Sequence, residues 1–239
     1  VFQTQRPVYV LTSSGTGGME AAIRCAPRGR ILALVNGAFG ERLVKLAHEC
    51  GREVDQIGFA LGDVPDAEEV GKRLEAGSYS ALSMIHNESS AGALADVRAI
   101  ARVARESGVL TIVDSVSGVG GARLEFDAWD VDCVVSASQK ALALPTGLAF
   151  AVVSENYLRA IEKVEGRGMY FDLLAFDSHA RNQETPATPA VSLIFALDRQ
   201  VQAIVAEGIE ARWARHEAMR ATMERWVART RDALDIDIS

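Results

Sequence analysis

Three short segments of this 239-residue chain pair reactive residue types with the end of an apolar run. Ser13-Ser-Gly-Thr-Gly-Gly18 follows Val8-Tyr-Val-Leu11 and precedes Met19-Glu-Ala-Ala-Ile23. A small, hydroxyl-bearing, glycine-rich turn that opens a helix suits a phosphate, because free N–H groups and the positive helix end converge there. A plain turn with Ser or Thr capping the helix has the same composition. The segment is neither Gly-x-Gly-x-x-Gly nor a nucleoside-triphosphate loop ending in Gly-Lys-Ser/Thr. Asp114 follows Val109-Leu-Thr-Ile-Val113 and precedes Ser115-Val-Ser-Gly-Val-Gly-Gly121. A carboxylate there can act as a base, bind a metal, pair with a cationic heterocycle, or cap the following turn. A metal would need further carboxylates or histidines, and the local sequence offers none. Lys140 ends Ser136-Ala-Ser-Gln-Lys140, after the apolar Val131 to Val135. Desolvation at the mouth of an apolar sheet makes a lysine amine nucleophilic toward an aldehyde. An ordinary surface lysine at a strand end is the other reading.

The elements that must position these residues follow from the apolar pattern. Ile31–Val35, Ala81–Ile85, Val109–Val113, Val131–Val135 and Leu148–Val153 read as buried strands. Helical stretches lie between several of them. One runs from Glu41 to Cys50 and is stopped by Gly51; another, Asp96 to Ser107, has Val97, Ile100, Ala101, Val103 and Ala104 at helical spacing and is stopped by Gly108. Continuous apolar strands separated by helices predict an α/β fold, with a mostly parallel central sheet covered on both faces. Gly166 to Pro189 lacks a period and reads as a long irregular segment of the kind that often serves function. A helical pattern then runs from Ala190 to about Leu234, broken near Gly208.

Composition narrows the class. The chain is 49% hydrophobic and 24% charged, ordinary for a globular protein. No apolar run approaches the roughly 20 residues that span a bilayer, and no secretory leader is expected at the start. The start also lacks a methionine, so residues before Val1 are expected. A net charge of −7 disfavours a nucleic-acid surface. The basic stretch Arg212 to Arg231 is interleaved with Glu217 and Glu224 and reads as a solvated helix face. Cys25, Cys50 and Cys133 are far apart, odd in number and without metal spacing, which fits a reducing cytoplasm.

In a parallel α/β sheet, ligands bind beyond the carboxyl ends of the strands. A phosphate cradle, an acid and a lysine at three such ends are the parts that a pyridoxal-phosphate enzyme needs. The chain resembles the fold type I, class V aminotransferases of the alanine–glyoxylate and serine–pyruvate group. The resemblance rests on Ser14-Gly-Thr-Gly-Gly-Met-Glu-Ala-Ala22, Val35-Asn-Gly-Ala-Phe-Gly-Glu-Arg42 and His86-Asn-Glu-Ser-Ser-Ala-Gly92. It continues through Val113-Asp-Ser-Val-Ser-Gly-Val-Gly-Gly121, Ser136-Ala-Ser-Gln-Lys-Ala-Leu142 and Thr188-Pro-Ala-Val-Ser-Leu193, in family order.

The resemblance implies pyridoxal 5′-phosphate as cofactor and assigns roles residue by residue. Lys140 resembles the Schiff-base lysine, which also moves the proton between the substrate α-carbon and the cofactor C4′. Asp114 resembles the pyridinium partner. Ser14, Gly15, Thr16 and Gln139 resemble the phosphate-binding set. Phe39 resembles the aromatic stacked on the ring, and Val116 the apolar residue on its other face. Ser89 resembles the residue near the phenolic oxygen. Thr188 resembles the residue that reaches the phosphate of the partner subunit's cofactor, which implies a homodimer with shared sites. Thr185 stands where mammalian-type members carry a tyrosine. The resemblance divides the chain into a cofactor-binding large domain (1–200) and the helical start of a small C-terminal domain (201–239), incomplete here. The arginine that clamps the substrate carboxylate is implied in that domain; Arg225, Arg229 and Arg231 read as solvated charges instead. The implied reaction is transamination of a small amino acid, alanine or serine, with glyoxylate or pyruvate. A fold type I lyase, a desulfurase and a non-catalytic binder of the cofactor are the alternatives. A desulfurase needs a cysteine well after the lysine, and none follows Cys133 in this sequence.

Overall fold

The computed structural model describes the backbone of residues 1–234 and the side chains of residues 1–230. Residues 235–239, read from the sequence as part of the C-terminal helical segment, lie outside the described residues, as does the side chain of Arg231. Seven strands form one sheet: β1 (Tyr9–Leu11), β2 (Ile31–Val35), β3 (Val54–Gly58), β4 (Ala81–Ile85), β7 (Leu110–Asp114), β8 (Cys133–Ala137) and β9 (Ala149–Val153). Their order is β1-β9-β8-β7-β4-β2-β3. β3, β2, β4, β7 and β8 run parallel, and β9 and β1 pair antiparallel at one edge. The sheet is thus mostly parallel, as the apolar runs predict. A separate two-stranded ribbon pairs β5 (Asn87–Glu88) with β6 (Ala93–Leu94).

Helices cover both faces because the central strands are apolar on both. Ile31, Ala81, Ile112, Cys133 and Val135 pack on one face with α1 (Gly15–Cys25), α2 (Ala38–Glu49), α5 (Glu155–Ile161) and α6 (Leu173–Ala180). Leu32, Leu82, Val113, Val134 and Val152 pack on the other with α3 (Ala67–Ala76), α4 (Val97–Glu106) and the inner side of α7 (Val191–Glu207). Gly15 and Gly18, one helical turn apart, let α1 lie close on the sheet: a Cβ at Gly18 would sit 2.7 Å from Val135 Cγ1. Gly208, at φ +82°, ends α7 and separates it from α8 (Ile209–Leu234), where the break was expected. Among the described residues no helix is long and apolar enough to cross a membrane.

Two expectations are corrected. The Gly166–Pro189 segment is not irregular throughout: it contains α6, capped by Asp172, whose carboxylate accepts the Leu174 N–H at 3.0 Å. Its apolar residues face the core without a long period, so the short helix left no pattern to read. Nor is the basic stretch from Arg212 uniformly solvated. Arg212 is 7% exposed and bonded to main-chain carbonyls, whereas Arg215 and Arg220 do lie on the surface.

Candidate active site

A cavity of about 250 Å³ opens beyond the carboxyl ends of β4, β7 and β8. It is lined by Ser14, Gly15, Thr16, Phe39, Ser89, Asp114, Val116, Gln139 and Lys140, and so gathers every expected site residue but one. Thr188 is exposed and is not among the lining residues. Arg42, Asn87 and Ser117 also line it and were given no role from the sequence. Arg42 was within reach of sequence reasoning: it follows Phe39 by three residues on α2, and such residues share a helix face.

One end of the cavity is the start of α1. Ser14 is the N-cap, yet its hydroxyl makes no capping bond, and no acidic residue occupies the first turn. The first N–H groups of a helix have no intrahelical partner. Together with the positive helix end, they make this corner an anion site. Gly15 must be a glycine here, since a Cβ would lie 2.6 Å from Val116 Cγ2 and 3.2 Å from Ala137 Cβ. Arg42 Nη2 donates to Thr16 Oγ1 at 2.9 Å. A guanidinium only donates, so it occupies a lone pair of Thr16 and leaves the Thr16 O–H free to donate elsewhere. Gln139 Oε1 is buried without a partner in the protein. The donors of the same side-chain amide are on Nε2, the atom that can serve an anionic ligand.

Asp114 stands at the end of β7, and its Oδ1 accepts the Val116 N–H at 2.9 Å. Burial raises its carboxyl to about 6; the Val116 hydrogen bond, Arg42 and Lys140 oppose that rise, and nearby Glu88 adds to it. A carboxylate held in poorly solvated surroundings next to a cavity attracts a cationic partner. Beneath it, buried His86 places Nδ1 2.8 Å from Ser115 Oγ, and burial lowers its imidazole to about 4. Ser89 donates to Ser117 Oγ at 2.9 Å, and Ser117 donates to the Asn87 carbonyl at 2.9 Å. This short chain fixes the wall on which Ser89 sits.

Phe39 is held by a neighbouring element. Glu88, fully buried, accepts the N–H groups of Phe39 (3.1 Å) and Gly40 (3.0 Å) through Oε2. Its Oε1 accepts the Ser90 hydroxyl at 2.6 Å. A carboxylate from β5 therefore caps α2, whose own N-cap is Gly37 and offers no side chain. A Cβ on Gly37 would lie 2.5 Å from Glu88 Cγ. Phe39 is left 38% exposed and lines the cavity. Lys140, at the turn after β8, is exposed as well. The desolvation expected for it from the sequence is not supplied by the described residues, because the turn carries it past the strand end.

The residues present fit pyridoxal phosphate: an anion corner, a carboxylate, an aromatic ring and a primary amine border one cavity. Comparison with known proteins agrees. Residues 2–233 match the family described as aminotransferase class-V. The chain is 36% identical over 233 residues to an uncharacterized aminotransferase of Methanocaldococcus jannaschii, covering 94% of this chain and 60% of that protein. It is 32% identical over 232 residues to an L-aspartate–glyoxylate aminotransferase of Paracoccus denitrificans, covering 93% of this chain and 59% of that protein. The crystal structure of an alanine–glyoxylate aminotransferase from Nostoc sp. superposes with a TM-score of 0.87 at 30% identity, over 97% of this chain and 62% of that one. The chain thus spans roughly 60% of the length of these relatives. With the matched segment covering nearly all of its residues, the chain belongs to the class V aminotransferases.

Proposed function

We propose that the protein is a pyridoxal-phosphate-dependent aminotransferase that moves the amino group of a small amino acid to a 2-oxo acid, glyoxylate or pyruvate. The observation that carries this reading is the cavity in which Lys140, Asp114 and the open start of α1 meet. The names of the relatives, which pair alanine, serine or aspartate with glyoxylate, support the acceptor. Bound there, the cofactor supplies an electron-poor ring that withdraws charge from the substrate α-carbon. Lys140 would hold the cofactor through its amine, and that amine is the group placed to move a proton at the substrate α-carbon. Asp114 keeps the ring nitrogen protonated. Ser14, Gly15, Thr16 and Gln139 bind the phosphate, with Arg42 orienting Thr16. Phe39 and Val116 would hold the ring from either side, and Ser89 would sit near its phenolic oxygen. Thr188 completes the phosphate site of a partner subunit, so the working form is a homodimer. The proposed cofactor domain is 1–200 and the second begins with 201–239; α7, whose Ile204 packs in the same core as the sheet, crosses that boundary. Three free thiols, Cys25 and Cys133 among them buried, suit a reducing cytoplasm.

Borohydride reduction of the cofactor-loaded protein, followed by peptide mass mapping, tests the attachment. The pyridoxyl adduct is expected on Lys140; an adduct on Lys45, Lys72 or Lys163 overturns the assignment. Addition of alanine, serine or aspartate to the full-length protein tests the reaction. Conversion of the cofactor absorbance to that of pyridoxamine phosphate, restored by glyoxylate, is expected. Binding without conversion would show a lyase or a non-catalytic binder instead.

A further inference from the structure

All three nitrogens of the buried Arg212 guanidinium have partners. Nε donates to the Gly120 carbonyl at 2.9 Å, Nη2 to the Ala141 carbonyl at 2.6 Å, and Nη1 to the Glu207 carboxylate at 2.8 Å. Gly120 lies in the turn after β7, the turn that follows Asp114 and carries Val116 and Ser117. Ala141 directly follows Lys140. The two turns pack tightly, for a Cβ at Gly120 would lie 3.1 Å from Leu142 Cδ2 and the Gly121 Cβ 3.0 Å from Ala141 Cβ. Among the described residues, however, no backbone hydrogen bond joins turn 116–122 to turn 138–144. Arg212 is the polar link between them.

The clamp is itself fixed from behind. Glu207, the last residue of α7, also accepts Arg215 Nε at 2.6 Å. The positive φ of Gly208 turns the chain so that the end of α7 and the first turn of α8 face each other. A planar, multiply bonded guanidinium is a rigid connector that lysine cannot reproduce. The helix that carries the chain onward from the cofactor domain is thereby bolted to both turns that border the reacting end of the cavity.

We propose that Arg212 is a positioning residue: it sets the Lys140 amine against Asp114 and couples that spacing to α8. The proposal rests on the cofactor reading above. Loading of the unaltered protein with pyridoxal phosphate, and its trapping on Lys140, tests that reading separately. Arg212→Met then tests the proposal in the full-length protein. It is expected to fold, to bind pyridoxal phosphate about tenfold more weakly, as loss of a positioning charge-assisted hydrogen bond implies, and to shift the pH midpoint of the bound-cofactor absorbance. Faster amide exchange at Gly121 and Ala143 without cofactor is expected too, a readout independent of turnover. Unchanged affinity, midpoint and exchange would overturn the proposal. If Arg212→Met does not fold, Arg212→Lys decides: a folded variant with a shifted midpoint supports the clamp. A Lys variant with the original midpoint, or one that also fails to fold, overturns it.

Discussion

Asp114 is a carboxylate that the protein holds at a disadvantage. Its pKa rises to about 6 because burial penalises the charged form. An unfolded aspartate ionises near the ordinary value of 3.8. Below that value both states are protonated and folding costs nothing extra. Between 3.8 and about 6 the unfolded chain loses its proton first, so stability falls as pH rises, and above 6 the full penalty is present. In cofactor-free protein Asp114→Asn should therefore raise stability at pH 7.5 by up to ~3 kcal/mol, with the gain vanishing toward pH 4. Parallel denaturant unfolding of both proteins at the two pH values checks it, and an equal effect at both would refute the assignment. The paired comparison is needed because His86 acts with the opposite sign. Burial lowers its pKa to about 4, so the unfolded imidazole takes up its proton first and stability falls as pH drops from 6.5 toward 4. With cofactor bound, the same Asp114→Asn substitution removes a charge-assisted hydrogen bond worth roughly 1.5–3 kcal/mol. Turnover should fall by about tenfold or more; unchanged turnover would rule out the pairing role.

At the scale of elements, glycines and caps set where the helices begin. Glu88 completes the start of α2 from another strand, so the aromatic at the cavity mouth depends on a carboxylate 49 residues away. Glu88→Gln replaces one acceptor oxygen by an amide donor facing N–H groups. The expected loss is about 1–3 kcal/mol of stability, measured by denaturant unfolding, together with weaker cofactor binding. A variant as stable as the parent would show that α2 caps itself. Gly37 has an extended backbone that any residue can adopt, so Gly37→Ala tests space alone: its Cβ would push against Glu88. It should lower cofactor affinity in the same direction as Glu88→Gln. Much of this scale was legible beforehand. β2 and β4 fall where the apolar runs place them, and α4 lies where its apolar spacing and its Asp96 cap point. β8 was misplaced by two residues, because the apolar Val131 sits in the turn before it while Ser136 and Ala137 continue the strand. α2 begins before Glu41 because its cap is tertiary and has no local signature.

At the scale of the molecule, the exposed residues decide what is missing. Thr188 lies outside its own chain's cavity, and α7 beside it exposes Val191 (55%) and Phe195 (74%). Exposed apolar side chains beside Thr188 suit the proposed coverage by another subunit. If Thr188 serves the partner's phosphate, a mixed dimer of Thr188→Glu and Lys140→Ala holds one site with both lesions and one with neither. Mixing the two inactive proteins should therefore restore part of the activity after subunits exchange. The glutamate is chosen because a carboxylate beside a phosphate dianion in a poorly solvated site is strongly repelled. No recovery, with the heterodimer confirmed by mass, would mean that each subunit completes its own site.

The sequence by itself determined the apolar central strands, the helices α2, α4, α7 and α8, and the residues at three strand ends; the half-exposed edge strand β3 and the short helices α3, α5 and α6 were not read from it. The former depend on local periodicity and on side-chain chemistry, both of which are written along the chain. The family segments added Phe39, Ser89 and Val116 to the same neighbourhood. Only the tertiary structure decided which groups meet across distance. It placed Arg42 on Thr16, Glu88 under α2 and Arg212 between the turns of Asp114 and Lys140. Arg212 shows the reason most clearly. In sequence it opens a run of charges typical of a solvated helix, and its partners are main-chain carbonyls, which carry no residue-type signature. Whether an arginine is solvated or bolts two turns together depends on which carbonyls the fold leaves without partners at that spot, and that is settled only when all the layers are in place.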